Sequence, residues 1–276
     1  MNRSEPVVLI SRRAFFASGL RLERPEWSSE RNFEVWGKRS RPHGWNYTLD
    51  VFYQGHIAGT DGMIVNLDEL KPMLARLVEP LDNSDLNQSS YLNGQVPTLE
   101  NLSSALWQSL PAQLGAGTLA RLRLREGTRR WCEVSNQAMK VTTTYEFAAA
   151  HRLHAPNKSE AENAELYGKC NNPRGHGHNY GLEVTIEGHI NSKTGEVIAL
   201  PVLDEIVQRE VFERFDHKHL NEDCPEFKSI IPTSENLALV IFQVLEPAVA
   251  GAGARLSRVG LHETMKNFFE VEAPLA

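Results

Sequence analysis

The chain has 276 residues, 41% of them hydrophobic and 23% charged, which excludes a disordered or low-complexity polypeptide and leaves room for one large domain or two ordinary ones. A net charge of −6 and an isoelectric point near 6.0 give no general electrostatic reason to bind nucleic acid or an acidic membrane. Three cysteines are too few for a disulfide framework, no signal-peptide pattern opens the chain, and Arg12 and Arg13 interrupt the first apolar run; the expectation is a soluble, cytoplasmic protein without membrane or nucleic-acid partners.

In chain order, residues 7–20 read as a strand that leads through a loop into a second strand at 46–56. A helix follows at 67–77, with apolar residues at 67, 70, 73, 74 and 77. A second helix starts near Thr98, where Thr-x-Glu-Asn supplies polar capping groups. Strands at 119–124 and 130–134 close the series. The basic run Arg121–Arg130 reads as a solvated strand face or an anion site. A short polar segment, SNQA at 135–138, separates this series from a second one. The second series has strands at 140–151 and 179–188, the latter alternating Tyr180, Leu182, Val184 and Ile186. It continues with helices at 201–215 and from Thr233, and closes with strands at 256–262 and 267–271.

The two series are copies of one another. FASGLRL (16–22) faces FAAAHRL (147–153), GKRSRPHGWNY (37–47) faces GKCNNPRGHGHNY (168–180), and GHI (55–57) faces GHI (188–190). Further along, Leu86-Asn87 faces Leu220-Asn221, PTLEN (97–101) faces PTSEN (232–236), and Glu126 faces Glu263. The offset drifts only from 131 (147 minus 16) to 137 (263 minus 126), as a few loop insertions would produce. The reading is therefore a tandem duplication with domains at residues 1–136 and 137–276. Each is an α+β unit of order ββααββ, an antiparallel sheet with two helices on one side.

The second copy carries the chemistry. His176 and His178 alternate on a strand, so both imidazoles point to one face and can reach one metal, with Gly177 small between them. His151, at the end of the preceding strand, could supply a third ligand. Three histidines leave one position open on zinc, the pattern of a catalytic site. The first copy has Leu20, His43 and Trp45 at these positions, so two of three candidate ligands are lost together. Cys170, six positions before His176, could act as base or nucleophile beside zinc, or be a fourth ligand or an inert thiol. Asp216-His217 offers a carboxylate-oriented imidazole, and its counterpart Asp82-Asn83 keeps only the acid. Glu263 could accept two N–H bonds from the 2-amino-pyrimidinone edge of a purine- or pterin-like ring; Glu235 reads equally as a helix-start capping residue or a ligand.

FxAAHRL, CNNPxGHGHNY, DHxxLN, PTxEN and a late ET, in this order, resemble the 6-pyruvoyltetrahydropterin synthase / 6-carboxytetrahydropterin synthase family across nearly all of 140–271, and more weakly across 7–134. The resemblance implies the tunnelling fold, in which units assemble into an oligomeric barrel, here a homo-oligomer. It implies 7,8-dihydroneopterin triphosphate as substrate and loss of triphosphate. Carried over, His151, His176 and His178 would hold zinc, and Cys170 would be the proton-abstracting base. Asp216 and His217, from a neighbouring subunit, would complete the triad. Glu263 would anchor the pterin, with Thr233 and Glu235 lining its pocket. The gap between Cys170 and His176 tilts the reading toward the 6-pyruvoyl product. The alternatives are the 6-carboxy product of queuosine and 7-deazapurine synthesis, an aldolase-type cleavage, and a non-catalytic pterin-binding assembly protein. The duplication departs from the family, whose members usually have one unit per chain.

Overall fold

A computed structural model of the chain describes residues 6–57 and 61–274. They fall into two compact units, one made of Met1–Val141 with Gly188–Pro201 and the other of Thr142–Glu187 with Val202–Ala276. The first unit thus takes in a segment of the second repeat, an exchange that the residue boundaries expected at 136/137 do not contain.

The first unit runs β1 (Val8–Leu20), α1 (Ser29–Trp36), β2 (His43–Gly55), α2 (Leu67–Val78), β3 (Ser84–Asp85), α3 (Leu99–Ser109), β4 (Gln113–Leu114), β5 (Gly117–Glu126) and β6 (Arg130–Val134). Its strands lie in the order β3-β1-β2-β5-β6, with β4 beside β5. β1 and β2 are antiparallel with Leu20 opposite His43, β2 and β5 are antiparallel with Tyr47 opposite Glu126, and β3 is parallel to β1. The period of two decides which face is core: Tyr47, Leu49, Val51 and Tyr53 of β2 are all buried. Helices α2 and α3 cover that face through Leu70, Leu74 and Leu77 and through Leu99, Leu102 and Leu106. Each fully buried leucine contributes about 1.5–3 kcal/mol, so these stripes fix the helix orientation.

The second unit repeats the plan. It runs β7 (Met139–His151), α4 (Glu160–Tyr167), β8 (His176–Glu187), α5 (Leu200–Val207), α6 (Glu213–Phe215), β9 (Lys218–His219), α7 (Leu220–Asp223), α8 (Ser234–Gly251), β10 (Arg255–Thr264) and β11 (Asn267–Glu272). Its strands follow the order β7-β8-β10-β11, with β9 parallel to β7. Tyr180, Leu182, Val184 and Ile186 of β8 face Leu237, Ile241, Leu245 and Val249 of α8 in the core. Among the described residues no helix is long and apolar enough to cross a membrane.

Three features differ from the sequence expectation. Each copy carries a short extra helix, α1 or α4, between its first two strands, giving βαβααββ in place of ββααββ. These eight-residue helices lack a sustained apolar face, and α4 buries only Asn163. Local capping holds them instead: Glu162 N–H donates to Ser159 Oγ while Ser159 N–H donates to Glu162 Oε2. The helix expected at 201–215 is interrupted by a π-turn at Gln208–Phe212 between α5 and α6. The basic run at 121–130 is neither free nor an anion patch. Arg121 lies over Phe52, Arg125 over Trp131, Arg123 pairs with Glu133, and Arg130 is buried.

The start of β8 is fixed by two glycines. Gly175 has φ +70°, and a Cβ there would stand 2.9 Å from the His151 carbonyl oxygen and 2.6 Å from His219 Nε2. A Cβ on Gly177 would meet the Ala149 carbonyl oxygen at 3.2 Å. Gly175→Ala is expected to destabilise the chain by about 1–3 kcal/mol, read by urea unfolding, because both the left-handed backbone and the backbone contact oppose a methyl group. An unchanged midpoint would show that the turn adapts without cost.

Candidate active site and metal centre

His151 is the last residue of β7, and His176 and His178 open β8 on one face of the strand. Neighbouring strands therefore bring the rings together. Their centroids lie 4.6 Å apart for His151–His176, 4.8 Å for His176–His178 and 5.4 Å for His151–His178. One nitrogen from each ring lies within 4.8 Å of the other two. The Nε2 atoms of His151 and His176 are 3.2 Å apart, close to the ~3.3 Å edge of a tetrahedron built on metal–nitrogen bonds of about 2.0–2.1 Å.

The donor set fits a metal ion. His151 Nδ1 lies 2.7 Å from the Pro232 carbonyl oxygen, which can only accept, so Nδ1 carries the proton and the Nε2 lone pair faces the cluster. Burial lowers the pKa of both His151 and His176, and the neighbouring rings add to it, so both rings are held toward the neutral, ligating form. His176 Nδ1 and His178 Nε2 are buried without a hydrogen-bond partner among the described residues. The unpartnered His178 Nε2, beside two further converging imidazoles, is unfavourable alone and would be satisfied by a cation.

A carboxylate completes the group. Glu263 Oε1, near the end of β10, lies 3.9 Å from His178 Nε2. Burial pushes its carboxyl pKa up, but hydrogen bonds from Ser234 and Asn267 and the nearby histidines hold it below the ordinary value. The Ser234 hydroxyl donates to Oε1 at 2.6 Å and the Asn267 amide to Oε2 at 3.0 Å. Sequence reasoning missed Ser234 and Asn267. Their signal lay in the ladder between the copies, where Ser234 faces Leu99 and the offset of 137 sets Asn267 against Arg130. Of the other expected pocket residues, Thr233 caps α8, its Oγ1 accepting from Asn236 N–H, and Glu235 is exposed in the first turn.

Cys170 is half-buried in the 3-10 turn Gly168–Asn171 and lines a cleft with Asn171, Asn172, Pro173 and His176. His217 lines a second cleft, with Ala148–Ala150, Gly177, His178 and Asn179, and Asp216 precedes it in the chain. His217 stands at φ 56°, and its Nδ1 lies 2.9 Å from Asp216 Oδ1. Asp216 Oδ1 also accepts from Ala148 N–H at 2.8 Å. Although burial opposes it, these bonds hold the Asp216 carboxyl below its usual range. Within the chain, then, Cys170 and His176 share one cleft and His178 and His217 another, so Cys170 and His217 do not meet in one cleft.

The first copy has the same frame with other side chains. Leu20 is buried opposite His43, whose Nδ1 lies 2.7 Å from the Arg41 carbonyl oxygen, and Trp45 packs edge-on against that ring. Among the described residues, only His151, His176 and His178 form a cluster able to hold a metal.

The family model of 6-pyruvoyl tetrahydropterin synthase matches the chain twice, at residues 9–137 and 140–274. The chain belongs to this family. A Drosophila melanogaster 6-pyruvoyl tetrahydrobiopterin synthase is 40% identical over 147 residues, which are 51% of this chain and 84% of the relative. The Homo sapiens 6-pyruvoyl tetrahydrobiopterin synthase is 39% identical over 142 residues, 51% of this chain and 93% of the relative. The solved structure of Caenorhabditis elegans 6-pyruvoyl tetrahydropterin synthase aligns with a TM-score of 0.47 and 36% identity, covering 49% of this chain and 96% of its own. Half of this chain thus accounts for most of the Drosophila melanogaster and Homo sapiens relatives, as two family units in tandem require.

Equilibrium dialysis against a divalent transition metal is expected to find one tight site per chain. His176→Ala should lower that affinity by roughly tenfold or more, because one of three protein ligands is gone. Two equivalent sites per chain would contradict a metal centre confined to the second copy.

Proposed function

We propose that the second copy is a zinc-dependent synthase acting on 7,8-dihydroneopterin triphosphate, releasing triphosphate and forming 6-pyruvoyltetrahydropterin. The observation that carries this reading is the three-histidine cluster with the Glu263 carboxylate 3.9 Å from His178, in a member of the family. The reading joins a metal centre to a group suited to a 2-amino-4-oxo heterocycle.

His151, His176 and His178 would hold zinc, which supplies Lewis acidity toward the hydroxyls of the substrate side chain. Glu263 binds the ring. Its two oxygens, already set by Ser234 and Asn267, present lone pairs to the adjacent N–H donors of the heterocycle and fix its orientation. Thr233 and Glu235, at the start of the same helix as Ser234, would line the pocket of the ring. Cys170 takes the proton from the substrate side chain, and its cleft beside His176 supports that role. Asp216 orients the His217 imidazole as a proton relay. His217 lines a cleft that does not include Cys170, which supports its serving the Cys170 of a neighbouring subunit in a homo-oligomer. The side chain is isomerised internally as triphosphate leaves, so no external oxidant or reductant is needed. The first copy, with Leu20, Trp45 and Asn83 in place of two ligands and the relay histidine, is the non-catalytic partner.

Incubation with 7,8-dihydroneopterin triphosphate and mass spectrometry of the products tests this. The expected products are 6-pyruvoyltetrahydropterin and triphosphate; a 6-carboxy product, or none, overturns the assignment. Cys170→Ala is expected to lower turnover by about 100-fold or more while the metal stays bound. Undiminished turnover would remove Cys170 from the mechanism.

A further inference from the structure

The position in the first copy that corresponds to the pterin pocket is filled by the protein itself. Glu126 and Glu100 are the counterparts of Glu263 and Glu235, and both are buried. Between them lies the guanidinium of Arg130, 5% exposed, in the position that Asn267 holds in the second copy. Its Nη2 donates to Glu100 Oε1 at 2.8 Å and stands 3.2 Å from Glu196 Oε1, and its Nη1 lies 3.6 Å from Glu126 Oε1.

Glu196 comes from Gly188–Pro201, the stretch of the second repeat that belongs to the first unit. It is fully buried, and Arg39 grips it with two bonds, Nη1 to Oε1 at 2.8 Å and Nη2 to Oε2 at 3.2 Å. Arg39 stands at the Cys170 position. GKR (37–39) faces GKC (168–170), and the Arg39 carbonyl accepts from Leu22 N–H as the Cys170 carbonyl accepts from Leu153 N–H. Two more bonds seat the segment: the Thr98 hydroxyl donates to the Gly195 carbonyl at 2.6 Å, and Val197 N–H donates to Glu100 Oε1 at 3.4 Å. Thr98 is the counterpart of Thr233. Every first-copy position that matches the proposed thiol and pterin-pocket residues therefore contributes to holding Arg130 or Gly188–Pro201.

The 2-amino-4-oxo edge of a pterin is a cyclic guanidine, with two adjacent N–H donors that match a carboxylate as an arginine fork does. We propose that Arg130 is a built-in occupant of the first copy's ligand pocket, its guanidinium standing where the second copy takes the guanidine-like edge of its ligand, with Glu196 as the lid. The chain then has one open pterin site and one self-filled site, and the pocket under Arg130 has kept its selectivity for planar guanidine groups. This inference rests on the reading of Glu263 as the ring anchor. The charges support it: two buried or half-buried guanidiniums meet three buried carboxylates, and burial pushes the Glu100 carboxyl up to about 7 against the pull of Arg130.

The experiment removes the occupant and offers a free one. Arg130→Ala leaves a side-chain-sized space beside Glu100 and Glu126, which lose their guanidinium partner while Glu196 keeps Arg39, so its thermal midpoint falls below that of the unaltered chain. Guanidinium ion at tens of millimolar should raise that midpoint by about 2 °C or more, whereas sodium chloride at equal ionic strength should not, and the unaltered chain should gain nothing. If the variant does not accumulate in folded form, its refolding yield from urea with and without guanidinium ion reads the same effect. Rescue no better than with sodium overturns the inference. Calorimetry of the unaltered chain with neopterin gives the second arm: one bound molecule per chain supports it and two overturn it. Turnover of dihydroneopterin triphosphate is followed separately, so that its absence counts against the proposed reaction while the guanidinium arm still tests the occupied pocket.

Discussion

The convergence of three imidazoles on one point is the constraint around which the second unit is organised. It requires the end of β7 and the start of β8 to lie side by side with fixed register, and it requires each ring to present a lone pair inward. The Pro232 carbonyl settles the tautomer of His151, and burial keeps protons off His151 and His176. Gly175 and Gly177 permit the backbone approach, since a Cβ at either meets the backbone of β7 within 3.2 Å. Glu263 is then the counter-charge, held by Ser234 and Asn267 at the proper distance from His178.

The duplication separates what the fold needs from what the chemistry needs. Asp82 accepts from Ala17 N–H at 2.9 Å as Asp216 accepts from Ala148 N–H at 2.8 Å. Asn83 and His217 share a left-handed backbone, φ 53° and 56°, and donate to the same carbonyls, at 2.7 and 2.6 Å. The aspartate thus secures the turn to the first strand of each copy, and asparagine tolerates the left-handed position as well as histidine does. Only the imidazole distinguishes the two turns. A Cβ on Gly44 would likewise meet the Ser18 carbonyl oxygen at 3.0 Å, matching Gly177, although among the described residues no metal-binding cluster lies beside it.

Charge in the interior of the first unit follows the same logic with the opposite outcome. A buried carboxylate without a partner is costly, and deletion of one member of a buried ion pair typically costs about 3–5 kcal/mol. In the second unit Glu263 is steadied by neutral donors and keeps a half-buried face toward the histidines. In the first, Glu100, Glu126 and Glu196 are paired with two arginines from within the unit, Arg39 and Arg130. The family's frame is common to both; at two matching positions, Cys170 against Arg39 and Asn267 against Arg130, the first copy has an arginine that pairs with the acids.

Much of this was legible in the residues. Alternation along β2 and β8 and the apolar stripes of α2, α3 and α8 declared the α+β unit, because burial of one face imposes those periods. The histidine cluster could be read because i and i+2 on a strand share a face and because the other copy lacks two of the three histidines. The short helices α1 and α4 were not visible in that way, since local caps rather than an apolar face hold them. Ser234 and Asn267 also escaped, because a hydroxyl or an amide acquires meaning only from the carboxylate opposite it. By itself the sequence determined the duplication, the repeated unit, the histidine cluster and the family. Only the tertiary structure decided that Gly188–Pro201 belongs to the first unit and that Arg130 and Glu196 occupy its pocket. Such pairings join residues 66 and 97 positions apart or more through electrostatics and burial, and no local period records them.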